Sequence, residues 1–431
     1  MTEHIRIRRG RLLIFLTIGI ALLITIACAL PFPIDWPLDG ASPVLTPTAT
    51  AEPTPTPSPT PTPTPTPSPA ERLREAEAAM HAGNYARAAE LYSLLTELPN
   101  SEQIAADARL RLGTALLRDG NAQAAVEPLT ELVDQYDGTQ QAHVGQFLLA
   151  EAWNGAGEPI TAALHYQGYL DAGTVITPYV ALWKADALVA GGAITDALAT
   201  YPVAIEQAPT LSFEVSAREK LALAHVALED YEAALAQYDA ILDVAGIRSY
   251  RARIDHQAAE TLRLAGETEQ AYERHLGVVE TYPETQHAYR SLVELVEAGR
   301  PPANDYLRGV VDYYAEAYGP AVDALYRYIN SNPNTYSSNA HWYIGLSFLE
   351  AGSPQYAVLE FETLIESFPE NENWADAWLK MAEAHEDLGD IESAVSAYEG
   401  LVEAAPTAPQ APAALWRAAR LLERNGDLAS A

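Results

Sequence analysis

From residue 70 onward, apolar positions fall at helical spacing in short stripes separated by polar breaks, the pattern of amphipathic helices rather than strands. One triplet punctuates the stripes: a glycine, an alanine five residues later, and an aromatic or large apolar residue nine later. It runs through Gly83, Ala88 and Tyr92; Gly120, Ala125 and Leu129; Gly157, Ala162 and Tyr166; and Gly192, Ala197 and Tyr201. Gly266, Ala271 and His275 continue it, followed by Gly352, Ala357 and Phe361 and by Gly389, Ala394 and Tyr398. Two copies carry glutamate in place of glycine: Glu229 with Ala234 and Tyr238, and Glu316 with Ala321 and Leu325. Most steps between copies are 37 residues, one is 36 and one is 35. This period predicts a repeat of two helices, the first ending near the glycine, where a left-handed or tight turn needs no Cβ. On the second helix the alanine allows close approach, and the large residue one turn further on fills the space beside it.

Two places break the rhythm. Between Gly266 and Glu316 the step is 50, and the interval contains Gly299, Arg300, Pro301 and Pro302. A helix over about residues 286–298 is thereby left without its usual partner, and a kink or boundary is expected there, dividing the array into residues 70–298 and 299–431. At the other end Gly426 and Ala431 begin a further copy, so the apolar face of the helix carrying Trp416 and Leu421 is expected to be uncovered and the pattern to continue past Ala431.

The repeat resembles the tetratricopeptide (TPR) family. Leu112 and Gly113 precede Gly120 as that family's leucine-glycine pair precedes its turn, and Gly345 stands likewise before Gly352. Pro209, Pro283, Pro369 and Pro406 each follow their turn glycine by 17 residues, and Trp378 occupies the place of the family's tryptophan. The 37-residue step departs from the family's 34 and implies longer loops. The resemblance implies an all-α fold, a right-handed superhelical solenoid of about ten helix pairs with a concave groove lined mainly by first helices, which holds a protein or peptide.

The N-terminus reads as an address. Arg6, Arg8, Arg9 and Arg11 precede an apolar run over residues 12–27, the arrangement of an export signal or membrane anchor over residues 1–30 that places the rest outside the cytoplasm. Thr25, Ile26, Ala27 and Cys28 resemble a lipoprotein signal in which Cys28 is lipidated, with Thr25 where that pattern prefers leucine. Cleavage after a small residue and retention as a membrane helix stay open beside it. Residues 31–69 form a linker, and the stretch 42–69 holds eleven prolines among threonine, serine and alanine. It is a stalk: proline fixes φ and removes donors, and at about 3.1 Å per residue the segment reaches roughly 85 Å.

Charge narrows the partners. Lysine plus arginine total 26 against 58 acidic residues, a net charge of -32, which excludes sequence-independent nucleic-acid binding. Only Lys184, Lys220 and Lys380 plus nineteen arginines accompany 54 acidic residues after residue 69, which departs from a basic clamp for a peptide carboxylate and favours basic or neutral partners. One cysteine rules out an intramolecular disulfide. The ten histidines show no metal-ligand spacing, and neither a His-Glu-x-x-His motif, a phosphate loop nor a nucleophile elbow is present, so no metal or cofactor is implied. A tyrosine-rich patch just after the long step supplies the candidate binding residues Tyr306, Tyr313, Tyr314, Tyr336, Trp342 and Tyr343, able to stack on a ligand or to pack as ordinary large positions.

The expected function is a membrane-tethered, non-enzymatic binding scaffold. A second candidate is the non-catalytic superhelical arm of a peptidoglycan-cleaving enzyme whose catalytic domain is expected beyond residue 431, because residues 414–419 followed by residues 423–427 resemble the helical portion of soluble lytic murein transglycosylases. That resemblance implies a catalytic glutamate in a Glu-Ser pair ahead of a Gly-Leu-Met-Gln stretch. Glu366-Ser367 and Glu392-Ser393 lie inside repeats without that stretch, so the catalytic residues are absent here. A lipoprotein assisting an outer-membrane assembly machine is the third candidate.

Overall fold

The computed structural model describes residues 68–97, 102–302 and 304–426. The expectations for the leader, Cys28 and nearly all of the stalk fall outside them. Residues Thr66–Ala431 form one compact unit. Its helices come in pairs: α1 (Pro69–His81) with α2 (Tyr85–Thr96), α3 (Glu102–Arg118) with α4 (Ala122–Gln135), α5 (Gln140–Gly155) with α6 (Pro159–Asp171), and α7 (Thr177–Ala190) with α8 (Ile194–Glu206). Next come α9 (Leu211–Ala227) with α10 (Tyr231–Val244), α11 (Arg248–Leu264) with α12 (Thr268–Thr281), and then α13 (Gln286–Glu297). The remainder are α14 (Asp305–Tyr314) with α15 (Tyr318–Ser331), α16 (Asn339–Glu350) with α17 (Pro354–Ser367), α18 (Trp374–Asp387) with α19 (Ile391–Ala404), and α20 (Ala411–Arg424). There is no strand among the described residues. No described helix is long and apolar enough to cross a membrane. Each helix packs on its neighbours in sequence, and first helices also touch the next first helix, as α3 does α5 and α14 does α16.

The triplet accounts for the core. All nine alanines and all nine large residues of the second helices are at most 2% exposed. Seven positions before each turn stands a glycine or alanine of the first helix; at Gly113 an added Cβ would come within 2.4 Å of Leu129, and at Gly345 within 2.6 Å of Phe361. Close approach is therefore built from small residues on one helix and a large one on its partner.

The turn position is left-handed in every copy, whichever residue occupies it. Gly83 has φ 74° and Gly352 φ 69°, and the two glutamates follow suit, Glu229 at 59° and Glu316 at 62°. A side chain there works against the Cβ clash that glycine escapes. Glu229→Gly and Glu316→Gly are each expected to stabilise the array by about 0.5–1 kcal/mol after the added chain entropy of glycine. Thermal unfolding reads the gain, and an unchanged or lower midpoint for both would contradict it.

At the long step, α13 is followed by Gly299 at φ 72° and has no second helix of its own. Instead Val311 of α14 enters the cluster of Val278, Val279, Leu292 and Leu295, with Leu307 against it. The core thus passes across the break. At the far end Leu421 is buried in the cluster of Tyr398 and Leu401, so the expected uncovered face is narrower than the sequence suggests; Trp416 remains 60% exposed.

Candidate functional site

The tyrosine patch divides into three. Tyr306 and Tyr314 lie at opposite ends of α14, and with Tyr313 of the same helix they meet Tyr343 of α16: Tyr313 and Tyr343 at 5.4 Å between ring centroids, Tyr314 and Tyr343 at 6.1 Å, Tyr306 and Tyr343 at 6.4 Å. Burial pushes the Tyr313 hydroxyl up to about 12 and raises that of Tyr343 too, so both stay neutral rings. Tyr314 alone of the four is exposed. Tyr336 lies in the loop before α16, its hydroxyl 3.2 Å from Nε2 of His341 and its ring against Phe368. Trp342 packs on Phe361 at 5.7 Å and, partly buried like Tyr313, lies against the same core cluster of Leu346, Phe361 and Leu364. The structure brings Tyr306, Tyr313 and Tyr314 into ring contact with Tyr343, joins Trp342 to Tyr313 only through the core cluster both pack against, and seats Tyr336 on His341 and Phe368.

A polar ladder not foreseen from the sequence runs along the first helices. Six residues before the turn a carboxylate often stands, and it meets a cation nine residues before the next turn: Glu77 pairs with Arg111 at 3.0 Å, and Asp186 pairs with Lys220. The buried second-helix tyrosines reach into the same row, Tyr201 donating its hydroxyl to Asp186 at 3.1 Å and Tyr166 donating to Glu151. Burial, then the adjacent carboxylate, raises both hydroxyls well above the ordinary tyrosine value, so each acts as a donor. Glu151 breaks the rule, because Trp183 stands where its cation would be. Phe147, Glu151, Tyr166, Trp183 and Asp186 line a hollow of about 440 Å³ between α5 and α7. A larger one, about 710 Å³ and mostly apolar, lies across α6, α7 and α8, where Lys184 donates to Gln167 at 2.5 Å.

Three histidines that look scattered in sequence also converge. The His256 ring is 5.3 Å from that of His275 and 5.7 Å from that of His287. Both His256 and His275 turn Nδ1 to the buried Ser291 hydroxyl, at 2.9 and 3.0 Å, and Nε2 of His275 lies 3.2 Å from Glu260. The Nδ1 atoms of His256 and His275 thus share one hydroxyl rather than aim at an open point. Among the described residues no group of three or more His, Cys, Asp or Glu is placed to hold a metal ion.

A helical-repeat protein built of stacked helix pairs is the class these features define. The family model described as tetratricopeptide repeat matches residues 73–139 and 379–431, so these segments are tetratricopeptide repeats, and the turn, alanine and large-residue positions keep the same geometry through the copies between them. No curated protein matches the chain. Among solved structures, Naa15/Naa10 bound to HypK-THB is similar at 15% identity with a TM-score of 0.47; the match covers 84% of this chain, which spans 56% of that one. The C-terminal part of a TPR repeat-containing protein from Cytophaga hutchinsonii is similar at 14% identity and a TM-score of 0.38, covering 71% of this chain and 98% of its own. A tetratricopeptide repeat protein from Parabacteroides merdae is similar at 12% identity and a TM-score of 0.28, covering 73% and 98%.

Proposed function

We propose that this chain is a non-enzymatic scaffold that holds a protein or peptide along its first helices, outside the cytoplasm and tethered to a membrane by its N-terminus. The observation that carries the scaffold reading is where the aromatic side chains are left open. Four of the six exposed among the described residues, Tyr179, Trp183, Tyr314 and Trp416, belong to first helices and two, Tyr326 and Tyr356, to second helices, whereas the nine large repeat positions of the second helices are sealed in the core. Flat rings with a polar tip in a groove are what protein interfaces use as anchors. The tether rests on Arg6, Arg8, Arg9 and Arg11 before the apolar run, with Cys28 as the lipidated residue.

The test places a photo-crosslinking amino acid at Tyr314 of the full chain in its own cells, and at Glu273 on the second helix α12 as the reference. Discrete protein adducts from position 314 that are absent from position 273 are expected. Equal yields from both, or none from position 314, would sink the groove reading. For the tether, Cys28→Ala is expected to move the chain out of the membrane fraction, and unchanged sedimentation would remove the lipid anchor.

A further inference from the structure

We propose that the hollow between α5 and α7 is a binding site for an arginine side chain of a basic partner, a statement that rests on the groove reading and names the chemistry of one point along it. The first argument is register. Carboxylates stand six residues before the turn at Glu77, Glu151, Asp186, Glu260 and Glu383; Glu77 and Asp186 pair with Arg111 and Lys220 of the next repeat, Glu260 and Glu383 pair with Arg263 and Lys380 of their own helices, and Glu151 has Trp183 at the position of the next repeat's cation. Four of the five acids are thus ion-paired within the chain, two of them across repeats, and Glu151 alone stands beside an indole instead. Its one hydrogen bond comes from the neutral Tyr166 hydroxyl, and no lysine or arginine lines the hollow.

The second argument is shape. The Trp183 ring is steadied by Phe147 at 5.5 Å and Tyr179 at 6.2 Å and is still 38% exposed, so it presents an indole beside a carboxylate. A planar guanidinium stacks on indole and donates in a fork to a carboxylate, which a compact ammonium does less well. The third argument is a counterpart within the molecule. Between α18 and α20 a hollow of about 300 Å³ is also walled by carboxylates, Glu383 and Glu386, and by a tryptophan, Trp416. There the chain supplies its own guanidinium, with Arg420 4.9 Å over the Trp416 ring and Arg417 beside it. The α5–α7 hollow has the same walls and lacks the arginine. The net charge of -32 draws a basic segment toward it.

The test uses the full chain in detergent micelles, labelled at its seven tryptophans, with acetyl-Gly-Arg-Gly-amide as probe and its citrulline counterpart as the neutral isostere. The Trp183 indole signal, assigned by its loss in Trp183→Leu, is expected to shift saturably with the arginine peptide at roughly millimolar concentration and not with citrulline. Glu151→Gln, which still accepts from Tyr166, is expected to weaken binding about tenfold. Glu273→Gln, which removes an equal charge on α12, is expected to change it less than twofold. Trp183→Arg restores the ladder and is expected to abolish binding while the thermal midpoint holds or rises. Equal shifts from citrulline, or equal losses from Glu151→Gln and Glu273→Gln, would overturn the site. The assay needs no natural partner, so its failure leaves the crosslinking result standing, and a failed crosslink leaves this result standing.

Discussion

Truncating Phe361 to alanine will cost about 3–5 kcal/mol, the range for an aromatic removed from a packed core. Its ring is fully buried, packs with Leu346, Leu364, Ala377 and Ala384, and faces Gly345 so closely that even a methyl there would be 2.6 Å away. Phe361 therefore joins three helices, α16, α17 and α18. A solenoid lacks contacts between distant repeats, so the loss should be local: hydrogen exchange at α16–α18 speeds up sharply while α1–α4 keep their protection. Urea unfolding gives the total and exchange gives the location. A loss below about 1 kcal/mol, or one spread evenly along the array, would show that the second-helix aromatic is not the joint between repeats.

Much of this joint is legible in the sequence because it is local. The glycine turn, the alanine and the large residue lie within nine positions, and helical geometry alone puts the last two on one face. The substitution of Glu229 and Glu316 for glycine is legible as well, since a period that continues through them assigns the same turn to both. A subtler rule becomes readable only with the packing in hand. Where the second-helix position is Leu129, Leu325 or Phe361, the small residue seven before the turn is Gly113, Gly309 or Gly345. Where it is tyrosine, as at Tyr92, Tyr166, Tyr201, Tyr238 and Tyr398, that residue is Ala76, Ala150, Ala185, Ala222 or Ala382. Three of those tyrosines donate to carboxylates on the first helix, Tyr166 to Glu151, Tyr201 to Asp186 and Tyr398 to Glu386.

The groove was harder to read, for a physical reason. Its walls come from successive first helices, so Glu151 and Trp183 are neighbours only after the 35-residue step is folded away, and composition records neither. The tyrosine patch is close in sequence but is shared out differently by the packing. Tyr306, Tyr313 and Tyr314 meet Tyr343 ring to ring, whereas Trp342 turns to Phe361 and Tyr336, in the loop before α16, turns to His341 and Phe368.

The histidine chain provides the second large effect, an acid-driven loosening of α11–α13. Burial first, then the neighbouring His275, holds His256 down at about 4 in the folded protein, against about 6.5 when unfolded. The groups around it are Glu260 on its own helix, His275 on α12, and His287 and Arg290 on α13. Glu260 favours the charged ring and the others oppose it. A group whose folded value is depressed below 6.5 leaves the unfolded chain holding the extra proton, so stability is complete above pH 6.5 and falls as pH drops toward 4. Glu260, held down at about 2 by His275 and then by Arg263, extends the loss in the same direction below pH 4.5. One proton taken up on opening changes the opening equilibrium by at most tenfold per pH unit, and the partial exposure of His256 makes the observed slope somewhat less. Hydrogen exchange at α11–α13, corrected for the intrinsic pH dependence, should show this slope between pH 6.5 and 4 while α5–α8 stay flat. His256→Gln keeps a partner for Ser291 and removes the titration, so its exchange should lose the slope across that window. If the slope persists in that variant, the proton is going elsewhere and the chain through Ser291 is a passive element of the joint.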